Sequence, residues 1–163
     1  MELKKRIDFR RFLIVAYFVC FAIYLIVGLQ PAGATNYEII AEISIPSIEL
    51  TSDVTALKLE DHRLNTPGTV VGSFSKNDNN ILLIGHASTV FKDLNKTVIG
   101  DKVIYDSDSY TIGKIDVIQK ADISMNKILA AADKKTLTIM TCAGEDLGDG
   151  DTTHRLIITA TKD

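Results

Sequence analysis

Thr136-Leu137-Thr138-Ile139-Met140-Thr141-Cys142 reads as an apolar strand with a thiol at its end. Ala143 to Asp151 follows with three glycines and four carboxylates (Glu145, Asp146, Asp149, Asp151), the composition of a flexible acidic loop. His154 to Ala160 then returns as the last strand, with Arg155 near its start. Upstream, Ile81 to Ile84 is a continuous apolar run bounded by turn residues, as in a strand buried on both sides, and it leads into Gly85-His86-Ala87-Ser88. A thiol, an imidazole and a guanidinium therefore each stand at a strand end. Such a set supplies a nucleophile, a proton carrier, and a clamp for an oxyanion or substrate.

The rest of the chain reads mostly as short strands. Glu38 to Ile45 alternates, with Ile39, Ala41, Ile43 and Ile45 on one face. Pro46 interrupts it, Ser47 to Leu50 resumes extended, and Val54 to Glu60 reads as one or two helical turns. Asn65-Thr66-Pro67-Gly68 is a turn signal, Thr69 to Phe74 is apolar, and Ser75 to Asn80 is a polar loop. Val90, Phe91 and Leu94 fit a short helix. Lys102 to Tyr105 and Tyr110 to Gln119 form strands about a tight connection at Asp106 to Ser109. Ser124 suits the cap of a helix over Met125 to Ala132. Many short strands, few helices and no regular strand–helix alternation predict an all-β fold, a closed barrel of seven to eight strands.

This domain, residues 37–163, follows an appendage. Phe12 to Leu29 contains 18 residues without a charge, which as a helix rise about 27 Å and span a hydrocarbon core. Five basic and two acidic residues precede it, and no basic residue follows until Lys58. That bias leaves residues 1–11 in the cytoplasm and the domain outside, with 30–36 as linker. Ala32-Gly33-Ala34 has the form preferred by a signal peptidase, but the apolar stretch exceeds the ~7–15 residues of a cleavable signal. The expectation is a retained single-pass anchor in the cell membrane.

Thr35 to Asp163 carries 13 Lys and Arg against 19 Asp and Glu, which argues against nucleic acid as a partner. Cys142 has no disulfide partner outside the apolar span, since the other cysteine, Cys20, lies within it. A lone thiol in an oxidising compartment is a liability unless it is used. The bland reading of Cys142 is a buried free cysteine, although a thiol beside a loop is accessible. His86 follows Gly85 and precedes small residues, so its ring can reach a cleft. His62, in Glu60-Asp61-His62-Arg63, reads as solvated surface. His154 and Arg155 point to opposite faces of a strand, so only one of them faces Cys142. Arg155 also has a simpler reading as an ion pair with the acidic loop before it. The loop's carboxylates do not have the spacing of an EF-hand, which favours solvated surface over a calcium site. They also form a negative rim able to attract a cationic amine.

Cys142, His86 and Arg155 in this arrangement, behind an N-terminal membrane segment, resemble the sortases, which are surface-anchored cysteine transpeptidases. The resemblance runs from Ile43 to the C-terminus and includes Ile43-Ser44-Ile45-Pro46-Ser47-Ile48. It implies a β-barrel in which Cys142 attacks a peptide carbonyl in a C-terminal sorting signal of an exported protein, commonly between Thr and Gly. His86 then protonates the leaving amine. Arg155, preferred over His154 because the family pattern places an arginine here, holds the substrate backbone and the oxyanion. Thr141 helps position the peptide, unless it is an ordinary strand threonine. An amine of a cell-wall precursor or a protein lysine resolves the thioester, and no cofactor is required. Some sortases use calcium, but no set of calcium ligands is matched here. Ile139 replaces a leucine frequent in the family, no proline follows Cys142 closely, and no Asp-Pro-aromatic segment is present.

Two rivals remain on the residues alone. A cysteine peptidase would pass the acyl group to water; its caspase-like order is met superficially, with His86 lying 56 residues before Cys142, but no Gln-Ala-Cys is present. A non-catalytic module would bind a peptide in the same groove.

Overall fold

The computed structural model describes Tyr17 and residues 37–60, 63–77, 79–148 and 151–163. The chain divides into two units, Met1–Asn36 and Tyr37–Asp163. The expected basic tail, membrane span and linker lie outside the described residues, apart from Tyr17, which is helical and exposed. Among the described residues no helix is long and apolar enough to cross a membrane.

Among the described residues of the second unit, alternating apolar residues build ten strands. They are β1 (Ile39–Ile45), β2 (Leu50–Ala56), β3 (Leu59–Glu60), β4 (Arg63–Leu64), β5 (Val71–Asn77), β6 (Asn80–Ile84), β7 (Lys102–Tyr105), β8 (Asp108–Gln119), β9 (Thr136–Asp146) and β10 (Thr152–Lys162). Eight of them close into a barrel in the order β1-β2-β5-β6-β9-β10-β8-β7, while β3 and β4 form a separate ribbon. The β2–β5 and β6–β9 pairs are parallel and the other barrel pairs are antiparallel.

Side chains alternate between the barrel interior and its outer face. Leu137 and Ile139 of β9, Leu156, Ile158 and Ala160 of β10, and Leu83 of β6 join one buried core with Ile43 and Ile45 of β1. Thr138, Met140 and Cys142 therefore belong to the outer face of β9. Leu82 is buried yet lies outside that core, because further chain covers the exterior of β6.

Five expectations need correction. Pro46–Ile48 is a 3-10 turn rather than extended chain, and Glu49 turns out of it at φ 52°. Val54 to Glu60 is not helical, because pairing with β1 and β5 holds Val54 to Ala56 in a strand and Leu59 and Glu60 belong to the ribbon. Ser75 to Asn80 is the end of a β-hairpin, with Asn77 paired to Asn80. The segment with Val90 and Phe91 forms turns, followed by a 3-10 turn at Leu94–Lys96. The helix after Ser124 is one turn, α1 (Met125–Ile128), and the Ser124 side chain does not cap it. By contrast, the tight connection between β7 and β8 is as expected, with Asp106 at φ 48° and Ser107 at φ 68°. Two successive left-handed residues are the signature of a type I′ hairpin.

The segment after α1 is tied to the barrel by asparagines. The buried Asn80 amide donates through Nδ2 to the carbonyls of Ile128 (2.7 Å) and Ala130 (2.9 Å), and its Oδ1 accepts from Thr138 Oγ1 (3.1 Å). Asn77 Nδ2 donates to the Leu129 carbonyl at 3.2 Å and Asn79 Nδ2 to that of Ala132 at 3.3 Å. The free carbonyls at the end of a helix need such donors. Asn80→Ala strands two carbonyls and a hydroxyl, and is expected to lower unfolding free energy by about 1–3 kcal/mol. Urea denaturation checks this: the midpoint should fall while the m-value holds.

Candidate active site

The site arises because β9 outruns its parallel neighbour. β6 pairs with β9 as far as Ile84 opposite Met140. Gly85 N–H donates once more to the Met140 carbonyl at 3.4 Å, and the chain then turns away. β9 continues past that point with β10 on one side only. Cys142 thus lies within β9 rather than at its end, since the strand runs on to Asp146. What ends there is the β6 side of the sheet, and the half-buried thiol faces the resulting gap.

One side-chain contact holds the turn after β6 against β9, and two backbone contacts close the turn on itself. The buried Thr141 hydroxyl donates to the Gly85 carbonyl at 2.7 Å. The His86 carbonyl accepts from Thr89 N–H (3.3 Å) and Phe91 N–H (3.0 Å). The His86 ring is exposed, with Nε2 3.4 Å from the Thr66 carbonyl oxygen. Glycine at 85 has a steric reason: a Cβ there would lie 2.6 Å from Val90 Cγ1 and 2.7 Å from Phe91 Cδ2.

Arg155 is directly opposite Cys142 in the β9–β10 ladder, and His154 is opposite Ala143. Directly opposed residues share a face, so Arg155 lies on the thiol's side. His154 instead lines a separate cleft with Gly144 and Glu145, and its Nδ1 is 2.8 Å from Thr153 Oγ1. The Arg155 side chain is only 16 % exposed and its guanidinium is engaged within the hairpin. Nη1 donates to the carbonyls of Thr152 (3.1 Å) and His154 (2.9 Å) and to Thr152 Oγ1 (3.0 Å), while Nη2 donates to Asp151 Oδ1 at 2.7 Å. Arg155 thus lines the thiol's cleft while pairing with the acidic residue before it.

Cys142, His86, Arg155 and Thr141 line one cleft of about 500 Å³ on the outer face of the barrel. Its floor is Ile84 and Met140. One wall is Leu59 and Leu64 of the β3–β4 ribbon with Phe74 and Lys76 of β5, and the other is Met125, Asn126 and Leu129 around α1. These walls were not singled out from the sequence, where Met125 and Leu129 read only as part of a short helix. Among the described residues the lining contains three basic side chains (Lys76, His86, Arg155) and no carboxylate. Among the described residues no three or more His, Cys, Asp or Glu are grouped to hold a metal ion.

The first part of the expected acidic loop, Ala143 to Asp146, is strand. Glu145 and Asp146 belong to β9, and Asp146 Oδ1 accepts from Gly148 N–H at 2.9 Å. Asp149 and His62 lie outside the described residues. Asp151 is paired with Arg155 and also accepts from Lys120 Nζ. Those two cations, with a hydrogen bond from Thr152 N–H, hold its carboxyl well below the usual carboxylate range.

The sortase domain family model matches residues 43–163. The chain belongs to the sortase family. Sortases are cysteine transpeptidases, and this chain is a sortase-type transpeptidase by that membership. Solved sortases share the fold at low identity. A lid mutant of sortase A from Corynebacterium diphtheriae superposes with a TM-score of 0.62 at 21 % identity, covering 80 % of this chain and 73 % of that one. Sortase C-3 from Streptococcus pneumoniae gives 0.60 at 17 % identity, covering 80 % and 65 %. Sortase A from Listeria monocytogenes gives 0.61 at 18 % identity, covering 77 % and 87 %. A search of curated proteins finds no match.

In this sortase the tight seat of Gly85 makes a direct test. Gly85→Ala overpacks the turn against Phe91, which is expected to destabilise by about 1–3 kcal/mol and to displace His86, so that kcat/KM for peptide cleavage falls. Gly113→Ala has open space around it and should leave both melting temperature and rate unchanged.

Proposed function

We propose that Cys142, His86 and Arg155 carry the transpeptidation, with a sorting-signal peptide of an exported protein bound along the exterior cleft. The observation that supports this most is that one cleft lines its walls with all three side chains. The Cys142 thiolate attacks the scissile carbonyl carbon and the carbonyl oxygen becomes an oxyanion. A guanidinium has five N–H groups, and Arg155 leaves Nε–H and one Nη2–H without a partner among the described residues. Those two are available to the substrate backbone and the oxyanion. Collapse of the tetrahedral intermediate breaks the C–N bond, and His86 gives its proton to the departing amine. The thioester on Cys142 is then attacked by a second amine, which loses its proton to His86 and forms an amide bond as the C–S bond breaks and the Cys142 thiolate leaves.

Thr141 contributes by position. Its hydroxyl is committed to Gly85, so it holds the His86 turn beside the Cys142 strand. The apolar span at 12–29 favours a membrane-anchored enzyme with its domain outside the cell, whose acceptor is an amine of a cell-wall precursor or of another surface protein. Product analysis with and without an added amine separates ligation from hydrolysis: amide product should dominate with amine present, and free acid alone would favour the peptidase reading.

Substitutions divide the roles. Cys142→Ala should abolish cleavage and ligation in a folded protein, and His86→Ala should be severe. Arg155→Ala should lower kcat/KM by about 10²-fold, the scale of losing an oxyanion donor. His154→Ala, on the other cleft, should be tolerated. Steady-state kinetics on a fluorogenic sorting peptide measures all four, and a crippled His154→Ala variant beside a fully active Arg155→Ala variant would reverse the assignment.

A further inference from the structure

We infer that Asp151 is a positioning residue of this enzyme, whose carboxylate fixes the Arg155 guanidinium in the orientation that turns its remaining N–H groups toward the cleft. The inference rests on the proposed role of Arg155 and names what holds that residue in place. Asp151 does not line the cleft, so it acts through Arg155 alone. Its Oδ1 accepts from Arg155 Nη2 at 2.7 Å and from Thr152 N–H at 2.9 Å, and its Oδ2 accepts from Lys120 Nζ.

The geometry requires such a clamp. An arginine side chain carries much rotamer freedom, and its fork loses it only when several donors are engaged together. Three of the Arg155 contacts are to uncharged acceptors on its own strand, the backbone carbonyls of Thr152 and His154 and the Thr152 hydroxyl. All three act on Nη1, so they hold the planar fork at one nitrogen, about which the whole group can still pivot. Among the described residues only Asp151 engages Nη2, and only Asp151 brings charge to the contact. Engagement at Nη1 and Nη2 together fixes the guanidinium plane, and the fixed plane aims Nε–H and the second Nη2 hydrogen. A charge-assisted contact of this kind is roughly twice as strong as a neutral one.

Lys120 has a different task. It follows β8 and bridges to the same carboxylate from another element. The second cation balances the second carboxylate oxygen and seats the end of the β9–β10 connection against the end of β8. Arg155 and Lys120 therefore share one anion, and the inference assigns orientation of the guanidinium to the Arg155 arm only.

The test pairs kinetics with a measurement that needs no turnover. In the peptide-free protein, a clamped guanidinium shows slow rotation about Nε–Cζ and distinct Nη1 and Nη2 resonances in 15N NMR. These should be resolved in the wild type and average to one in Asp151→Asn. In single-turnover acylation, Asp151→Asn should lose about 10- to 100-fold in rate, the scale for a misplaced catalytic group, with KM for peptide within about twofold. Asp151→Glu should recover part of the rate. In an Arg155→Ala background, Asp151→Asn should cost nothing further, because its effect runs through the guanidinium. Lys120→Met should stay within about threefold of wild type, since the Arg155 arm survives. Averaged Arg155 resonances in the wild type, full activity in Asp151→Asn, an undiminished loss in the Arg155→Ala background, or a Lys120→Met loss equal to that of Asp151→Asn would each overturn the inference. If Arg155→Ala itself acylates at the wild-type rate, the proposed role of Arg155 fails, while the NMR arm still reports on the clamp.

Discussion

The register between β9 and β10 is the constraint on which the site depends. It sets Arg155 directly opposite Cys142 and Leu156 opposite Thr141. A slip of one residue would exchange the two faces, taking the thiol into the barrel and leaving Thr141 outside. What prevents the slip is the core. Leu137 and Ile139 on β9, and Leu156, Ile158 and Ala160 on β10, are all buried in the same interior cluster, and moving them outward would expose a large apolar area. Chemistry on the outer face is thus aligned by hydrophobic packing on the inner one.

Strand lengths do the rest. β6 ends opposite Met140 and β9 does not, which opens the sheet beside Cys142 without a break in the barrel. The turn leaving β6 is fastened to β9 by Thr141 and holds His86 at the edge of the opening. The far wall is short and irregular, and its carbonyls are held by the asparagines of the β5–β6 hairpin. The two ends of one strand therefore serve the same cleft, Asn80 supporting the wall and Ile84 leading to the imidazole. Such a scaffold keeps the thiol, the imidazole and the guanidinium out of the close-packed interior, where a change of one methylene is felt.

Most of the barrel and the grouping of the three side chains were legible in the sequence, because period-two alternation and turn residues are local signals. The readings that failed had non-local causes. Val54 to Glu60 contains Ala, Leu, Lys and Glu, which favour a helix, but pairing of Val54 and Thr55 with β1 decides otherwise. The glycines and carboxylates after Cys142 suggested a loop, whereas Ala143 to Asp146 continues the ladder with β10 through a bulge. Gly144 supplies φ 82° there, in a space that a Cβ would fill against Thr153 and His154. The choice of Arg155 over His154 needed only the alternation of a strand together with the family pattern. The cleft walls had no sequence signal, since Phe74, Lys76 and Met125 come together only when the barrel closes.

In the proposed mechanism Cys142 Sγ is the atom that carries the acyl group. Incubation with a sorting-signal peptide in the absence of amine, acid quenching and intact mass spectrometry test this most directly. The predicted result is a mass increase equal to the N-terminal acyl fragment of the peptide, mapped to the Cys142-containing fragment and released by hydroxylamine. Turnover of the peptide with no adduct on Cys142, or with the adduct on another residue, would contradict it.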